Sequence, residues 1–160
     1  MSIHIRRAAA TDTAAITDLA VLAWAPVFAS FQRIFGPTAY AILYPDWQAQ
    51  QREVVARACR DDQTTTLLAE HDGTIAGFLS YTLNHTDLVG TVELLAVHPD
   101  HQQLGVATAL NHAALDQMRA SGMKLAGVST GGDPGHAPAR RAYEKAGYTP
   151  FPNVWYYQPL

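Results

Sequence analysis

The run from Val92 to Leu110 (Val-Glu-Leu-Leu-Ala-Val-His-Pro-Asp-His-Gln-Gln-Leu-Gly-Val-Ala-Thr-Ala-Leu) holds the strongest chemical pattern in the chain. It has the layout of a mostly apolar strand, a turn marked by Pro99, a short polar loop closing on Gly105, and an amphipathic helix. The first backbone N–H groups of a helix have no intrahelical partner, and the positive end of the helix dipole lies behind them. Gly105 lets a phosphate approach the main chain where a Cβ would block it, and the small Ala107 extends that clearance. The spacing Gln102-x-x-Gly105-x-Ala107 therefore predicts an anion site made of peptide amides. No Ser-His or Cys-His arrangement offers a side-chain nucleophile.

A second segment strengthens this reading. In His136-Ala137-Pro138-Ala139-Arg140-Arg141-Ala142-Tyr143-Glu144-Lys145-Ala146-Gly147-Tyr148, residues Ala139, Tyr143, Gly147 and Tyr148 stand at fixed offsets. Together with Gln102-x-x-Gly105-x-Ala107, three residues after Pro99, this resembles the GNAT superfamily of acyl-CoA N-acyltransferases. The likeness covers roughly residues 2 to 158 and departs at one place, where the family's Asn is His136. It implies that acetyl-CoA lies in a wedge between two parallel strands, here Glu93–Val97 and Leu125–Thr130. Leu95, Ala96 and Val97 would offer main-chain contacts to the pantetheine, with the Val97 N–H polarising the acyl carbonyl. Gln102, Gln103, Leu104, Gly105, Val106 and Ala107 would wrap the pyrophosphate, and Thr108 would add a hydroxyl. His136 would either hydrogen-bond the cofactor or backbone, as an Asn does, or cap its helix; Ala139 and Tyr143 would line the same site.

Tyr143 is the residue that the resemblance puts nearest the CoA sulfur. A phenol near 10 against a thiol near 8.5 makes complete proton transfer uphill by about 2 kcal/mol, so its expected part is to donate a hydrogen bond as charge develops on sulfur. An amine acceptor is mostly protonated at neutral pH and needs a base. Glu93 is the first candidate, since strict alternation places it on one face with Leu95 and Val97, although it can equally serve the sheet as a structural hydrogen-bond partner. His85, Asp87 and His112 are weaker candidates. Trp24, Phe28, Phe31 and Tyr81 either wall an acceptor site or fill the core or a dimer patch. Arg140, Arg141 and Lys145 either meet the 3′-phosphate of CoA or face solvent.

The elements that must carry these groups follow from periodicity. Residues 2 to 7 alternate as an edge or half-buried strand, and Thr11 or Asp12 can cap a helix with Ile16, Leu19, Ala20 and Ala23 on one face. Pro26, Gly36, Pro37 and Pro45 predict one or two short, broken helices over Trp24 to Tyr44. Asp46 caps a second helix bearing Trp47, Gln51, Val54, Val55 and Ala58 on one side. Strands are expected at Thr64–Glu70, Ile75–Asn84 and Gly90–Val97, the first two joined by an Asp72-Gly73 hairpin. A helix from Gly105 to about Ser121 presents Val106, Leu110, Ala113, Ala114 and Met118. A strand over Lys124–Thr130, the loop Gly131–Gly135, a helix over His136–Ala146 and a final strand over Tyr148–Tyr157 complete the order. The element order gives an α/β class, a mixed sheet with helices on both faces in one domain over residues 1–160, and the resemblance implies a mostly antiparallel sheet of six to seven strands with a splayed parallel pair.

At 160 residues with 48% hydrophobic and 16% charged residues, the chain has the composition of an ordinary globule and not of a disordered tail. A net charge of −3 advertises no nucleic-acid or anionic-membrane partner. The apolar run Leu19 to Phe31 is too short to span a bilayer, and the start lacks a signal-peptide layout. Cys59, the single cysteine, excludes an intrachain disulfide and fits a cytoplasmic setting. The seven histidines are dispersed, so no metal site is expected. The expectation is an acetyl-CoA-dependent N-acetyltransferase acting on a small amine, and the alternative a non-catalytic acyl-CoA-binding module; a homodimer is a family-level expectation. A dinucleotide fold on Gly131-Gly132-x-x-Gly135 fails, because the glycine spacing and the following acidic residue are missing.

Overall fold

A computed structural model describes residues 2–160. The first strand, β1 (Ile3–Arg7), leads through a single 3-10 turn into α1 (Thr13–Leu43) and α2 (Trp47–Arg60). A meander of β2 (Thr64–His71), β3 (Thr74–Asn84) and β4 (Val89–Val97) follows, then α3 (Val106–Ala120), β5 (Leu125–Val128) and α4 (Ala137–Lys145). The strands form one sheet in the order β1-β2-β3-β4-β5, antiparallel except for the parallel pair β4-β5. The hairpin between β2 and β3 turns on Asp72 and Gly73, both with positive φ, as its Asp-Gly pair predicts.

Two apolar layers sandwich the sheet. On one face Ile16, Leu19 and Ala20 of α1 and Val55 of α2 pack against Leu68, Phe78 and Ala96. On the other, Val106, Leu110, Ala114 and Met118 of α3 cover Leu67, Leu79, Tyr81 and Val92. Burying a side chain of this size stabilises the fold by about 1.5–3 kcal/mol. Each stripe follows the period of its helix, which is why the faces were readable. Asp46 caps α2 by accepting the Ala49 N–H.

Three expectations need correction. The segment Trp24–Tyr44 does not break into short helices at Pro26, because burial of Phe28 and Ser30 beyond it offsets a proline cost of about 3 kcal/mol; α1 is interrupted only at Gly36, with φ +70°. As a result α1 is long and apolar enough to cross a bilayer by length and composition, contrary to the shorter run read from the sequence, although its Ile16–Ala20 face is spent on the sheet. Tyr148–Tyr157 forms no strand: Tyr148 is half-buried against the core and residues 149–157, bearing Pro150 and Pro152, are exposed without regular structure, leaving five strands among the described residues where six to seven were expected.

Candidate acyl-transfer site

The register of β4 creates the site. Tyr81 of β3 pairs with Val92, yet the adjacent Ser80 pairs with Leu94, so Glu93 is an extra residue, a β-bulge. The parallel pairing with β5 stops at Val92 opposite Val128. From the bulge onward β4 has no partner on that side, and a cleft of about 500 Å³ opens between it and Ser129–Thr130. The His98 N–H bonds back to Ala76 of β3, which by alternation turns the main chain of Ala96 toward β3 and that of Leu95 and Val97 into the cleft. Their carbonyls are already occupied: the Trp24 indole N–H donates to Leu95 O at 3.1 Å, and the Gln102 amide to Val97 O at 3.3 Å. Their N–H groups are what remains for a ligand. Ala96 also lines the cleft, but its main-chain N–H and C=O are turned to β3 by strand parity.

The bulge also corrects the placement of Glu93. Val92 lies in the α3-side core while Leu94 belongs to the α1-side core, so parity reverses across Glu93. Leu95 and Val97 pack toward α3, whereas a Glu93 oxygen accepts the Thr82 hydroxyl at 3.0 Å, on the face of β3 shared by Phe78 and Ser80. Glu93 does line the cleft.

At the cleft's other end the turn into α3 is wound through left-handed backbone: φ is +62° at Gln103 and +85° at Gly105. A non-glycine residue in that region costs about 1–2 kcal/mol, a local strain typical of functional turns. A Cβ built on Gly105 would meet nothing within 4 Å, so the space over its amide is open. Gln102, Gln103, Gly105, Val106, Ala107 and Thr108 line the cleft beside Arg141 and Lys145. Leu104 does not; its side chain is exposed. Arg140, by contrast, donates to the carbonyls of Gly131 and Asp133 at 2.6 and 2.7 Å and pins the loop ahead of α4.

Tyr143 reaches the cleft from α4, 7% exposed. Burial, with the Tyr148 phenol beside it, pushes its pKa well above the usual phenol range, so it stays a proton-bearing donor at any physiological pH. Ala139 and His136 also line the cleft. Trp24, Phe28 and Phe31 form an aromatic wall of the cleft, Phe28 lying stacked on Trp47 at 4.2 Å between centroids. Tyr81 is not part of this wall: it sits on the α3 side of the sheet, 3% exposed, and donates its hydroxyl to Gln117 at 2.6 Å. Burial pushes the Cys59 thiol up, which leaves it a packing residue. His85, Asp87 and His112 lie outside the cleft.

Sequence reasoning did not find Asp133. Its carboxylate binds His136 Nδ1 and accepts the Gly135 N–H at 2.9 Å. Burial alone would raise its pKa, but hydrogen bonds from His136, Ser30 and Gly135 outweigh that and hold it below the usual carboxylate range. A Cβ on Gly131 would collide with both partners of the pair, so the glycine is required by close approach. The legible signal was an Asp three residues before a His in a glycine-rich loop.

Comparison with known proteins agrees with this geometry. The model of the acetyltransferase (GNAT) family matches residues 24–148. Mycothiol acetyltransferases from Sanguibacter keddieii (34% identity over 62% of this chain and 33% of that protein) and Thermomonospora curvata (35% over 61% and 32%) are curated relatives. The chain thus spans about a third of the length of the curated relatives it matches. Among solved structures, the PaiA N-acetyltransferase of Thermoplasma acidophilum in complex with coenzyme A has TM-score 0.71 at 17% identity, covering 93% of this chain and 91% of that one. The aminoglycoside N-acetyltransferase AAC(6′)-Iy with the bisubstrate analogue CoA-S-monomethyl-acetylneamine has TM-score 0.65 at 18% identity, over 100% and 99% of the two chains. These two share the fold. The parted strands, the glycine turn and the family match over residues 24–148 lead to one conclusion: the chain belongs to the acetyltransferase (GNAT) family.

Proposed function

We propose that this chain is an acetyl-CoA-dependent N-acetyltransferase that moves the acetyl group to the primary amine of a small acceptor by direct attack in a ternary complex. The observation that carries the reading is the departure of β4 from β5 after Val92, beside a left-handed turn with open space above Gly105. That pairing fits an acyl-CoA: unpartnered strand amides suit the amide-bearing pantetheine, and helix-start amides with Arg141 and Lys145 suit its phosphates. Bound there, acetyl-CoA supplies an activated thioester.

The chain's own groups do the rest. The Val97 N–H points into the cleft and is the donor for the carbonyl oxygen as charge grows on it. Tyr143, kept protonated by burial, donates a hydrogen bond to the departing sulfur. Trp24, Phe28 and Phe31 give the acceptor an apolar wall and exclude water, while the Trp24 indole fixes α1 to the bulged strand. An apolar wall suits a monoamine with a flat or aliphatic body. The names of the relatives, mycothiol and aminoglycoside acetyltransferases, support a small-molecule acceptor.

The test is a panel of primary amines assayed by release of free CoA thiol. Saturable, amine-dependent release with one N-acetyl product per thiol is expected. Binding of acetyl-CoA without turnover anywhere in the panel overturns the reading in favour of a non-catalytic acyl-CoA-binding module.

A further inference from the structure

We infer that His136, oriented by Asp133, is the base that takes the proton from the acceptor amine. The inference rests on the acetyl-transfer reading and assigns a role that the family's Asn at this position cannot perform, since an amide has no basic nitrogen. His136 Nδ1 is bound to the Asp133 carboxylate, which fixes the proton on Nδ1 and leaves the lone pair on Nε2. The ring is partly exposed within the cleft, 5.5 Å from the Phe31 ring on the acceptor wall. Asp133 is itself held: 8% exposed, it accepts the Gly135 amide, and its loop is clamped by Arg140. Burying a carboxylate at such cost and hydrogen-bonding it to a cleft-lining imidazole is the arrangement that orients a proton acceptor. Glu93, which also lines the cleft, sits on the bulge with an oxygen engaged by Thr82.

In the step, the amine nitrogen forms a bond to the thioester carbonyl carbon and its proton passes to His136 Nε2. The C–S bond breaks with its electron pair on sulfur, which is hydrogen-bonded by Tyr143 and gains a proton from solvent. His136 then returns its proton to solvent. The charged and titratable groups around the ring are Asp133 on its own loop, Tyr44 beyond α1 near Asp133, Arg140 and Arg141 of α4, and Glu93 across the cleft.

The test combines kinetics with a readout that needs no turnover. In His136→Gln, which keeps an amide at the family's Asn position, kcat is expected to fall roughly 100-fold or more, the scale of general base catalysis, while the acetyl-CoA Kd holds. The limb on which wild-type kcat climbs as the imidazole releases its proton disappears. Asp133→Asn is expected to lower kcat and, in the free protein, to shift the His136 ring away from the Nδ1–H tautomer that nitrogen-15 NMR is expected to show in wild type. An active wild type with His136→Gln retaining both rate and limb overturns the inference and leaves acetyl transfer standing. A wild-type ring found as the Nε2–H tautomer also overturns it. No turnover by the wild type on any amine overturns both readings together.

Discussion

Gly105→Glu separates binding of the acyl donor from folding. Nothing of the protein lies within 4 Å of a Cβ at this position, so the added side chain projects into open cleft and the core is untouched. The cost to folding is the left-handed backbone at φ +85°, about 1–2 kcal/mol for a residue with a Cβ, which lowers Tm by roughly 2–8 °C in a chain of this size. The cost to binding is larger. A carboxylate about 5 Å from one phosphate charge, at an effective dielectric near 20, opposes binding by about 3 kcal/mol, or roughly 200-fold in Kd, before any steric exclusion. Gly105→Gln carries the same backbone strain and nearly the same bulk without the charge, so the difference between the two variants isolates electrostatics. Calorimetry with acetyl-CoA and a melting curve on both proteins make the comparison. A Glu variant that binds within about threefold of wild type, well short of the 200-fold expected, would remove the diphosphate from this turn.

Tyr143→Phe is expected to cut kcat far more than it raises the acetyl-CoA Kd, and steady-state kinetics showing equal effects would demote the phenol to packing. Trp24→Phe deletes the indole donor to Leu95 O; it should cost about 1 kcal/mol in urea unfolding, and a neutral result would show the carbonyl resatisfied by water. The Arg6 guanidinium holds Asp12 below the usual carboxylate range. A depressed folded-state value means this stability is present above about pH 4, where Asp12 is ionised in both states, and is lost as pH falls through the folded value. The gap in Tm between wild type and Asp12→Asn should therefore be full at neutral pH and close in acid; a gap independent of pH would contradict the assignment.

What was legible in the sequence was what local chemistry decides. The Asp72-Gly73 hairpin, the stripe Val106-Leu110-Ala114-Met118 and the glycine turn before α3 each follow from a few neighbouring residues, and each is where it was expected. The bulge at Glu93 depends instead on how β3 and β4 settle into register, which no pattern within β4 records; strict alternation therefore put Glu93 on the wrong face. Tyr81 could be read as acceptor wall or as core, because an aromatic residue on a meander strand reads the same on either face; it is core. Proline counting broke α1 too early, since tertiary burial of Phe28 outweighs the local penalty. Asp133 escaped notice because its meaning lies in the geometry of a loop that Arg140 closes from α4.

The most direct measurement is a crystal structure of the protein with coenzyme A. It is expected to show the diphosphate against the amides of Gln103 to Ala107 and the pantetheine between β4 and β5, donated to by the Leu95 and Val97 N–H groups. Coenzyme bound elsewhere, or a gap between the two strands closed by side chains, would contradict the account.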